Sequence, residues 1–328
     1  MFLGVDGGGT KTAYALIDAG GNLRASRASG SVSHLSEGLT RATAMLVDAT
    51  RALLGEAGAA PSSIEFAFFG LGAYGEDSAT TAQMDAMPSA VLDASRYRCG
   101  NDMICSWAGS LACSEGISVI AGTGSMAYGE YAGRAARAGG WGELIGDEGS
   151  AYWIAREGMN LYSRMSDGRA PRGPLYALVR SRLGLEADLD LCARIYGESA
   201  SARAAFARFA PLIDEAASAG DEQACAIFVR AAGELAACVL AVRRAIAVAD
   251  DVVLPVSYSG GAFAGSRALV DAFRDALAAA GPAFELRTPL FPPVIGAALY
   301  AARLAGTPLR EDALANLRRG CASAALPR

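Results

Sequence analysis

The sequence predicts an α/β protein of two closely joined domains, and three observations support this fold class. With 328 residues, the chain has the length of about two domains. A strand, a glycine-rich turn and a second strand open each half, at 2–17 and again at 117–131. Alanine-rich helical stretches follow the second hairpin from Ser150 onward, and a mixture of hairpins and long helices is typical of layered α/β folds.

Apolar runs and turn residues define the elements of the first half. Strands are predicted at 2–5, 14–17, 23–28, 64–71 and 97–101. Apolar residues at helical spacing predict helices over 39–54, 79–87 and 104–112.

The second half is predicted to contain fewer strands and longer helices. Its strands are expected at 117–121, 126–131, 252–257 and 284–288. Helices are expected at about 150–165, 173–184, 202–218, 221–248 and 267–280. The last helix is predicted at about 294–305, and the tail after Arg318 is expected to fray.

Composition excludes several classes of protein. The chain is 52% hydrophobic and 19% charged, which fits a globular protein and not a disordered one. The net charge is −5 and no Lys/Arg cluster occurs, so we expect no nucleic-acid partner. The seven cysteines are odd in number and include no CxxC pair, which predicts free thiols in a reducing compartment.

No membrane or export segment is expected. The start at Met1 has no basic region followed by a long apolar stretch, as a signal peptide has. The most apolar stretch, 235–249, is interrupted by Arg243 and Arg244 and is interpreted as an amphipathic or core helix. The sequence therefore predicts a cytoplasmic protein.

The first glycine-rich turn carries the clearest functional signal. Gly7, Gly8 and Gly9 allow the backbone to approach a ligand closely. The next three residues, Thr10, Lys11 and Thr12, add donors suited to phosphate oxygens. Asp6, at the end of a strand, could hold Mg²⁺ directly or through water. The alternative, a simple hairpin turn, is disfavoured because three consecutive glycines are entropically costly.

This loop differs from the two best-known phosphate loops. Thr10 separates Gly9 from Lys11, whereas in a Walker A loop the lysine directly follows the glycine, and this loop does not have the GxGxxG spacing. Both of those loops also open a helix, whereas this loop opens an apolar strand. A second small-residue turn, formed by Gly122, Thr123, Gly124 and Ser125, repeats the pattern, and two such loops could hold a triphosphate from both sides.

Six segments together resemble one family. They are 4–12, Asn101-Asp102, 121–125, the long block 139–150, Ser259-Gly260-Gly261 and 293–298. They are similar to segments of the N-acetylglucosamine/glucosamine kinase family and its BadF/BadG/BcrA/BcrD-type ATPase relatives, within the actin/hexokinase/Hsp70 superfamily. The resemblance implies two ribonuclease-H-like, actin-like ATPase domains around a nucleotide cleft. It assigns 1–115 plus about 294–328 to the first domain, and 116–293, with a helical insertion, to the second.

The resemblance also implies roles for individual residues. Gly260 and Gly261 would form an adenosine-binding turn, and Asp102 would be the catalytic base. From residue type alone, Asp102 could instead cap the helix that begins near Ile104.

A group of residues is predicted to line the acceptor site. Its members are Asn101, Asp102, Thr123, Gly140, Trp141, Asp147 and His34. Core packing is the alternative role for Trp141, and an exposed loop position is the alternative for His34. Met126 stands where the family commonly has a polar residue near the sugar, so recognition of an N-acetyl group is left open.

The resulting functional prediction is an ATP- and Mg²⁺-dependent kinase that phosphorylates a hydroxyl of an amino sugar. Two alternatives remain: an ATPase activator of a 2-hydroxyacyl-CoA dehydratase or benzoyl-CoA reductase system, and a non-catalytic sugar or nucleotide sensor. Val119, Ile120 and Ala121, just before the Gly122 turn, include no cysteine, whereas such activators commonly carry a cluster ligand there. The family resemblance alone suggests a homodimer.

Overall fold

The computed structural model describes residues 1–9, 11–196, 202–281 and 283–323. The chain divides into two compact units. Unit 1 consists of Met1–Ser114 and Thr288–Arg328, and unit 2 of Glu115–Arg287.

Ten strands and fourteen α-helices are found in the described residues. The strands are β1 (Phe2–Gly7), β2 (Lys11–Ile17), β3 (Leu23–Gly30), β4 (Phe66–Leu71), β5 (Tyr97–Asn101), β6 (Gly116–Ala121), β7 (Ser125–Tyr131), β8 (Arg134–Gly139), β9 (Leu254–Ser259) and β10 (Phe284–Arg287). The helices are α1 (His34–Glu37), α2 (Leu39–Glu56), α3 (Ser78–Ala86), α4 (Met103–Leu111), α5 (Ala151–Ser166), α6 (Pro174–Leu183), α7 (Asp190–Tyr196), α8 (Ala202–Ala207), α9 (Ala210–Ser218), α10 (Glu222–Ala245), α11 (Gly261–Gly265), α12 (Arg267–Ala279), α13 (Pro293–Leu304) and α14 (Glu311–Ser323).

Unit 1 is built on a five-stranded mixed sheet in the order β3-β2-β1-β4-β5. The first three strands form antiparallel hairpins, whereas β4 lies parallel to both β1 and β5. Parallel strands end at the same edge of a sheet. The end of β1 at Gly7, the end of β4 at Leu71 and the end of β5 at Asn101 therefore lie together.

The central strands of unit 1 are apolar on both faces because helices cover both faces. Alternate residues of β1 belong to different cores: Leu3 packs in the cluster that contains Leu46 of α2, and Phe2 in the cluster that contains Ile295 of α13. Helix α13 lies very close to β1, since a Cβ on Gly4 would overlap the backbone of α13. The C-terminal part of the chain thus completes the first sheet's core.

Unit 2 repeats the topology with strands from later in the chain. Its sheet has the order β10-β9-β6-β7-β8, with antiparallel β6-β7-β8 and parallel β6-β9-β10. In each sheet the first strand in sequence lies at the centre. The predicted α/β class with a ribonuclease-H-like sheet in each half is confirmed.

A layer of helices forms most of the core of unit 2. Helix α10 packs its buried face, including Ile227, Leu235 and Val239, into this core. Among the described residues it is the one helix whose length and composition would allow it to cross a membrane, and 44% of its most apolar window is buried inside the protein. The core helix of a globular domain can have the same length and apolar composition, so these two properties are weak support for a membrane span.

The structure differs from the predicted elements at several places, including 202–218, β8 and the C-terminal tail. The single helix expected over 202–218 is two helices, α8 and α9. Pro211 lies in the first turn of α9, where its missing N–H is tolerated, whereas inside a continuous helix it would remove a hydrogen bond. Strand β8 was not predicted because it is a polar edge strand with no apolar run. Helix α14 extends beyond Arg318, to Ser323, and was also missed.

Candidate active site

Two aspartates lie near the strand ends of unit 1. Asp6 is on β1 and Asp102 follows β5, with β4 between them. The residue of β4 at this level is Gly70, whose Cβ would lie 3.2 Å from the Asp102 Cα and would overlap the Cys105 sulfur. Gly70 therefore allows α4 to approach the sheet and places no side chain there.

Burial and nearby negative charge make both carboxyl groups more basic than usual. Burial and the negative charge of Asp102 together raise the pKa of Asp6 to about 7, although the charge of Lys11 opposes the increase. Burial and the charge of Glu76 together raise the pKa of Asp102 to about 6. A carboxylate with a pKa near the working pH is suited to general acid–base catalysis.

Asp102 stands at the N-cap position of α4 but its side chain makes no capping hydrogen bond. The Oδ1 atom of Asn101 instead accepts the Met103 N–H at 3.1 Å. The capping role considered for Asp102 is therefore performed by its neighbour. Asn101 is buried, with 5% of its surface exposed.

The first glycine-rich turn links β1 to β2. The Gly8 N–H donates to the Lys11 carbonyl at 3.0 Å, and Lys11 is exposed. Gly9 is also exposed, and a Cβ there would meet no atom within 4 Å. The fold itself does not require glycine at this position, so the open space is available to a ligand. Thr10, predicted as a phosphate ligand, lies outside the described residues.

The back of this turn is held by the end of β3. The Ser31 hydroxyl donates to the Gly8 carbonyl at 3.0 Å, and the Thr12 hydroxyl accepts the Val32 N–H at 3.1 Å. Thr12 is fully buried, so in this structure its side chain anchors the loop. A phosphate contact for Thr12 stays a prediction. His34 begins α1, and its Nδ1 atom is buried without a hydrogen-bond partner among the described residues.

The second glycine-rich turn lies between β6 and β7 in unit 2. The Gly122 N–H donates to the Gly124 carbonyl at 2.9 Å, and Thr123 is half-buried. As at Gly9, a Cβ on Gly122 would meet no atom within 4 Å. Ser125 is buried, and its hydroxyl donates to the Glu148 carbonyl at 2.6 Å.

The turn after β9 lies directly against the second glycine turn. Gly260 has a φ of +101°, and a Cβ on it would overlap the Ala121 carbonyl and lie 2.8 Å from the Gly122 nitrogen. Both the backbone conformation and the lack of space therefore require glycine. Gly261 begins α11, where a Cβ would meet open space.

The segment 139–151, from the end of β8 to the start of α5, is tied to the second glycine turn by several hydrogen bonds. The Gly140 N–H donates to the Ser125 carbonyl at 2.9 Å, and the Ala151 N–H donates to the Gly122 carbonyl at 2.8 Å. Asp147 is 2% exposed, and its Oδ1 atom accepts the Ser125 N–H at 3.2 Å. The turn and the segment therefore form one connected platform.

This platform exposes large apolar side chains. Trp141, Leu144 and Ile145 are 68%, 89% and 74% exposed, respectively. Core packing, the alternative role considered for Trp141, is thus excluded. The Met126 side chain lies over Gly140, at the base of the segment.

The sequence did not indicate Glu76 or Ser31 as site residues. Glu76 follows β4, and Ser31 follows β3, so each lies just beyond a strand of the same sheet. The only available signal was position in the sheet. Because β4 runs parallel to β1, the residues that follow β4 must lie on the same side of the sheet as Asp6.

No set of three His, Cys, Asp or Glu side chains within the described parts of the chain is arranged to hold a metal ion. A Mg²⁺ ion that accompanies a nucleotide needs fewer protein ligands. It is usually bound by one or two carboxylates plus phosphate oxygens and water.

Comparison with known proteins identifies relatives along most of the chain. It is 26% identical over 310 residues to the N-acetyl-D-glucosamine kinase of Dictyostelium discoideum, covering 92% of this chain and 97% of that protein. It is 34% identical over 175 residues to an N-acetylmuramic acid/N-acetylglucosamine kinase of Clostridium acetobutylicum, covering 53% of this chain and 56% of that protein.

A solved structure shows the same fold. The provisionally named N-acetylglucosamine kinase of Chromobacterium violaceum is 29% identical, with a TM-score of 0.68 over 90% of this chain and 97% of that one. The model of the BadF/BadG/BcrA/BcrD ATPase family matches residues 3–301. The chain therefore belongs to the BadF/BadG/BcrA/BcrD ATPase family, as its motifs indicated.

Proposed function

We propose that this chain is an ATP-dependent kinase that transfers the γ-phosphoryl group to a hydroxyl of an amino sugar, with Asp102 as the general base. The observation that carries the proposal is the environment of Asp102. Its carboxylate is not used to cap α4, and burial and the charge of Glu76 together raise its pKa to about 6, so it is mostly ionised and still basic at neutral pH. The kinase names of the relatives at 26–34% identity support the same class.

The two glycine-rich turns are proposed to hold the phosphates. A Cβ at Gly9 or at Gly122 would meet open space, so the packing of the protein does not require glycine at either position. This open space suits the close approach of phosphate oxygens to the backbone. Lys11 and Thr123 add a cation and a hydroxyl to these turns. The turn at Gly260 and Gly261 is proposed to pass beside the nucleoside, since its backbone already contacts the second phosphate turn.

Asp6 is the residue proposed to hold Mg²⁺. Its carboxylate lies near that of Asp102, and their mutual repulsion is relieved if a cation binds there. One carboxylate with phosphate oxygens and water is a donor set that Mg²⁺ accepts. When bound, the ion would offset charge on the β- and γ-phosphates.

The acceptor is proposed to bind on the platform of segment 139–151. Trp141 offers an exposed apolar wall, and Gly140 offers backbone at its base. The carboxylate of Asp147, which is buried next to Ser125, is also proposed as an acceptor-binding group. The half-buried Met126 beside Gly140 favours an acceptor with an apolar substituent on this side, such as an N-acetyl methyl group.

The proposed reaction is an in-line displacement. A bond forms between the acceptor oxygen and the γ-phosphorus while the bond to the β–γ bridging oxygen breaks, so ADP leaves with that electron pair. Asp102 accepts the proton of the acceptor hydroxyl. Since phosphoryl transfer depends mainly on positioning and electrostatics, the remaining residues act by holding the two substrates in line.

The other two functions are not favoured. The relatives with substantial identity are named as kinases and not as dehydratase activators. A non-catalytic sensor would have no need of a basic carboxylate at Asp102, which is present.

A cytoplasmic location and a homodimer are part of this proposal. All seven cysteines are free thiols, which fits a reducing compartment. Size-exclusion chromatography with light scattering would measure the oligomeric state directly.

The decisive experiment is an ADP-release assay with ATP and Mg²⁺ against a panel of acceptors. The panel contains glucosamine, N-acetylglucosamine, N-acetylmannosamine, N-acetylmuramic acid, glucose and glycerol. We expect turnover with at least one amino sugar well above that with glucose and glycerol, and loss of it in Asp102→Asn. Absence of turnover with every amino sugar, in a protein that still binds ATP, would contradict the proposal.

A further inference from the structure

Asn101 lies at the junction of three elements in unit 1. It is the last residue of β5, it is paired with Leu71 of β4, and it immediately precedes Asp102. Only 5% of its surface is exposed. A polar side chain buried this deeply must find hydrogen-bond partners inside the protein.

Both ends of the Asn101 side chain are used within the protein. Its Oδ1 atom accepts the Met103 N–H at 3.1 Å, and its Nδ2 atom donates to the Tyr74 carbonyl at 3.2 Å. These partners determine the orientation of the amide, because an N–H can face only the oxygen and a carbonyl can face only the NH₂ group.

The two hydrogen bonds fix the surroundings of Asp102 on two sides. The bond to Met103 fixes the first turn of α4, of which Asp102 is the N-cap. The bond to Tyr74 fixes the segment 72–76 that follows β4. In that segment a Cβ on Gly72 would lie 3.7 Å from the Asp102 Oδ2 atom, so the segment directly borders the carboxylate.

The segment 72–76 is also shaped by its own turn hydrogen bonds, from the Tyr74 N–H to the Leu71 carbonyl and from the Glu76 N–H to the Ala73 carbonyl, and the Tyr74 hydroxyl donates to Asp85. Ala73 and Gly75 have φ values of +63° and +79°, and a left-handed backbone is unfavourable for alanine. The Gly72 N–H donates to the Gly7 carbonyl at 2.7 Å, which attaches the start of the segment to β1. Asn101 supplies the attachment at Tyr74, in the middle.

We propose that Asn101 is a positioning residue for the phosphoryl transfer and not a ligand of the acceptor. It holds Asp102 between the start of α4 and the Tyr74 segment, so that the carboxylate keeps one orientation. This inference rests on the proposed function, since it concerns the residue that orients the proposed base.

Steady-state kinetics separates a positioning role from acceptor binding. We expect Asn101→Ala to lower kcat on the order of 10²-fold, because a displaced catalytic group costs about that much. The KM for the amino sugar should change by less than about twofold, because no acceptor contact is lost. Asn101→Ser should recover part of kcat, since a serine hydroxyl can accept the N–H two residues ahead, although more weakly than asparagine, but is too short to replace the bond to Tyr74.

Hydrogen–deuterium exchange tests the same proposal without relying on turnover. Asn101→Ala should increase amide exchange both in 103–106 and in 72–76, whereas Asn101→Ser should restore protection in 103–106 alone. The matched control is Asp93→Ala, which removes a cap in the same unit, where Asp93 accepts the Ser95 N–H at 2.9 Å. This control should leave kcat and both segments unchanged.

Two results would overturn the proposal. One is a large increase in the amino-sugar KM of Asn101→Ala with kcat unchanged, which would make Asn101 an acceptor ligand. The other is unchanged exchange in both segments. A wild-type protein without amino-sugar turnover would instead contradict the proposed function, and the exchange measurement would still decide whether Asn101 holds the two segments.

Discussion

The two units have the same sheet order but different chemistry at the ends of their strands. In unit 1 the strand ends carry Asp6 and Asp102, whose pKa values are raised to about 7 and about 6. In unit 2 the strands β6 and β9, which occupy the positions of β1 and β4, end at Ala121 and Ser259 and are followed by glycines. One sheet therefore presents acidic side chains, and the other presents backbone and small side chains. The topology determines where functional groups lie, and the residues at those positions determine what each unit contributes.

The largest expected effect tests the acidic unit. Asp102→Asn keeps the size of the side chain and removes its basicity, so we expect kcat to fall roughly 10²–10⁴-fold. The KM for ATP should stay within about threefold, since Asp102 is not proposed to contact the phosphates. Stopped-time ADP assays measure both quantities.

The matched control for this change is Asp93→Asn, which alters an exposed aspartate of the same unit. It should leave kcat unchanged. Near-normal kcat in Asp102→Asn would remove the base from the proposed mechanism.

The next effect, on the free energy of unfolding, distinguishes a glycine required by the fold, Gly260, from a glycine proposed to make room for a ligand, Gly122. Gly260→Ala places a Cβ against the Ala121 carbonyl and forces alanine into a left-handed conformation. We expect a loss of about 1–3 kcal/mol in the free energy of unfolding. Gly122→Ala meets open space, so stability should change by less than about 0.5 kcal/mol.

ATP binding provides a second test of Gly122→Ala. Gly122→Ala should weaken ATP binding about tenfold, which corresponds to about 1.4 kcal/mol, if phosphate oxygens approach the backbone there. Chemical denaturation and calorimetric titration with ATP would give the two values. Equal stability losses in both variants would show that the turn at Gly122 is structural.

The smallest effect concerns the pH dependence of stability. Asp6 and Asp102 bind protons more tightly in the folded protein than in the unfolded chain, where aspartate titrates near its ordinary value of 3.8. The unfolded chain therefore holds fewer protons between about pH 4 and pH 7, and the contribution of these groups to stability decreases as the pH rises through that range.

The variant Asp6→Asn should therefore lose less stability between pH 5 and pH 7.5 than the wild type does. A difference of 1 kcal/mol would appear as about 2–4 °C in the unfolding midpoint. Differential scanning calorimetry without nucleotide or Mg²⁺ would measure it. If the unfolding midpoints of the two proteins changed with pH in parallel, the pKa of Asp6 would not be raised in the folded protein.

The sequence predicted the hairpins, the glycine turns and the strand ends because these have local signals. Tyr97–Asn101 was predicted with the correct limits, since its ends are marked by polar and turn residues. Strand β8 could not be predicted, because its arginines and alanines are explained only by its position at the edge of a sheet.

Side-chain partners were the harder part of the site to predict. The sequence placed Asn101 and Asp147 among acceptor-binding residues, but each has a partner far away along the chain, at Tyr74 and Ser125, respectively. Such pairings depend on the tertiary arrangement, which spacing and residue type do not encode locally. The proposed base, in contrast, was found because it follows a strand end in a recognisable motif.

The exposed Lys11 has a practical consequence, because it is the only lysine in the sequence, alongside 28 arginines. Among the side chains of this sequence, only Lys11 offers a primary amine to reagents that attack amines. Coupling to a sensor surface or dye through amines would therefore modify the first phosphate turn itself. Attachment through the exposed thiols of Cys192 or Cys225, both in unit 2, would leave that turn free.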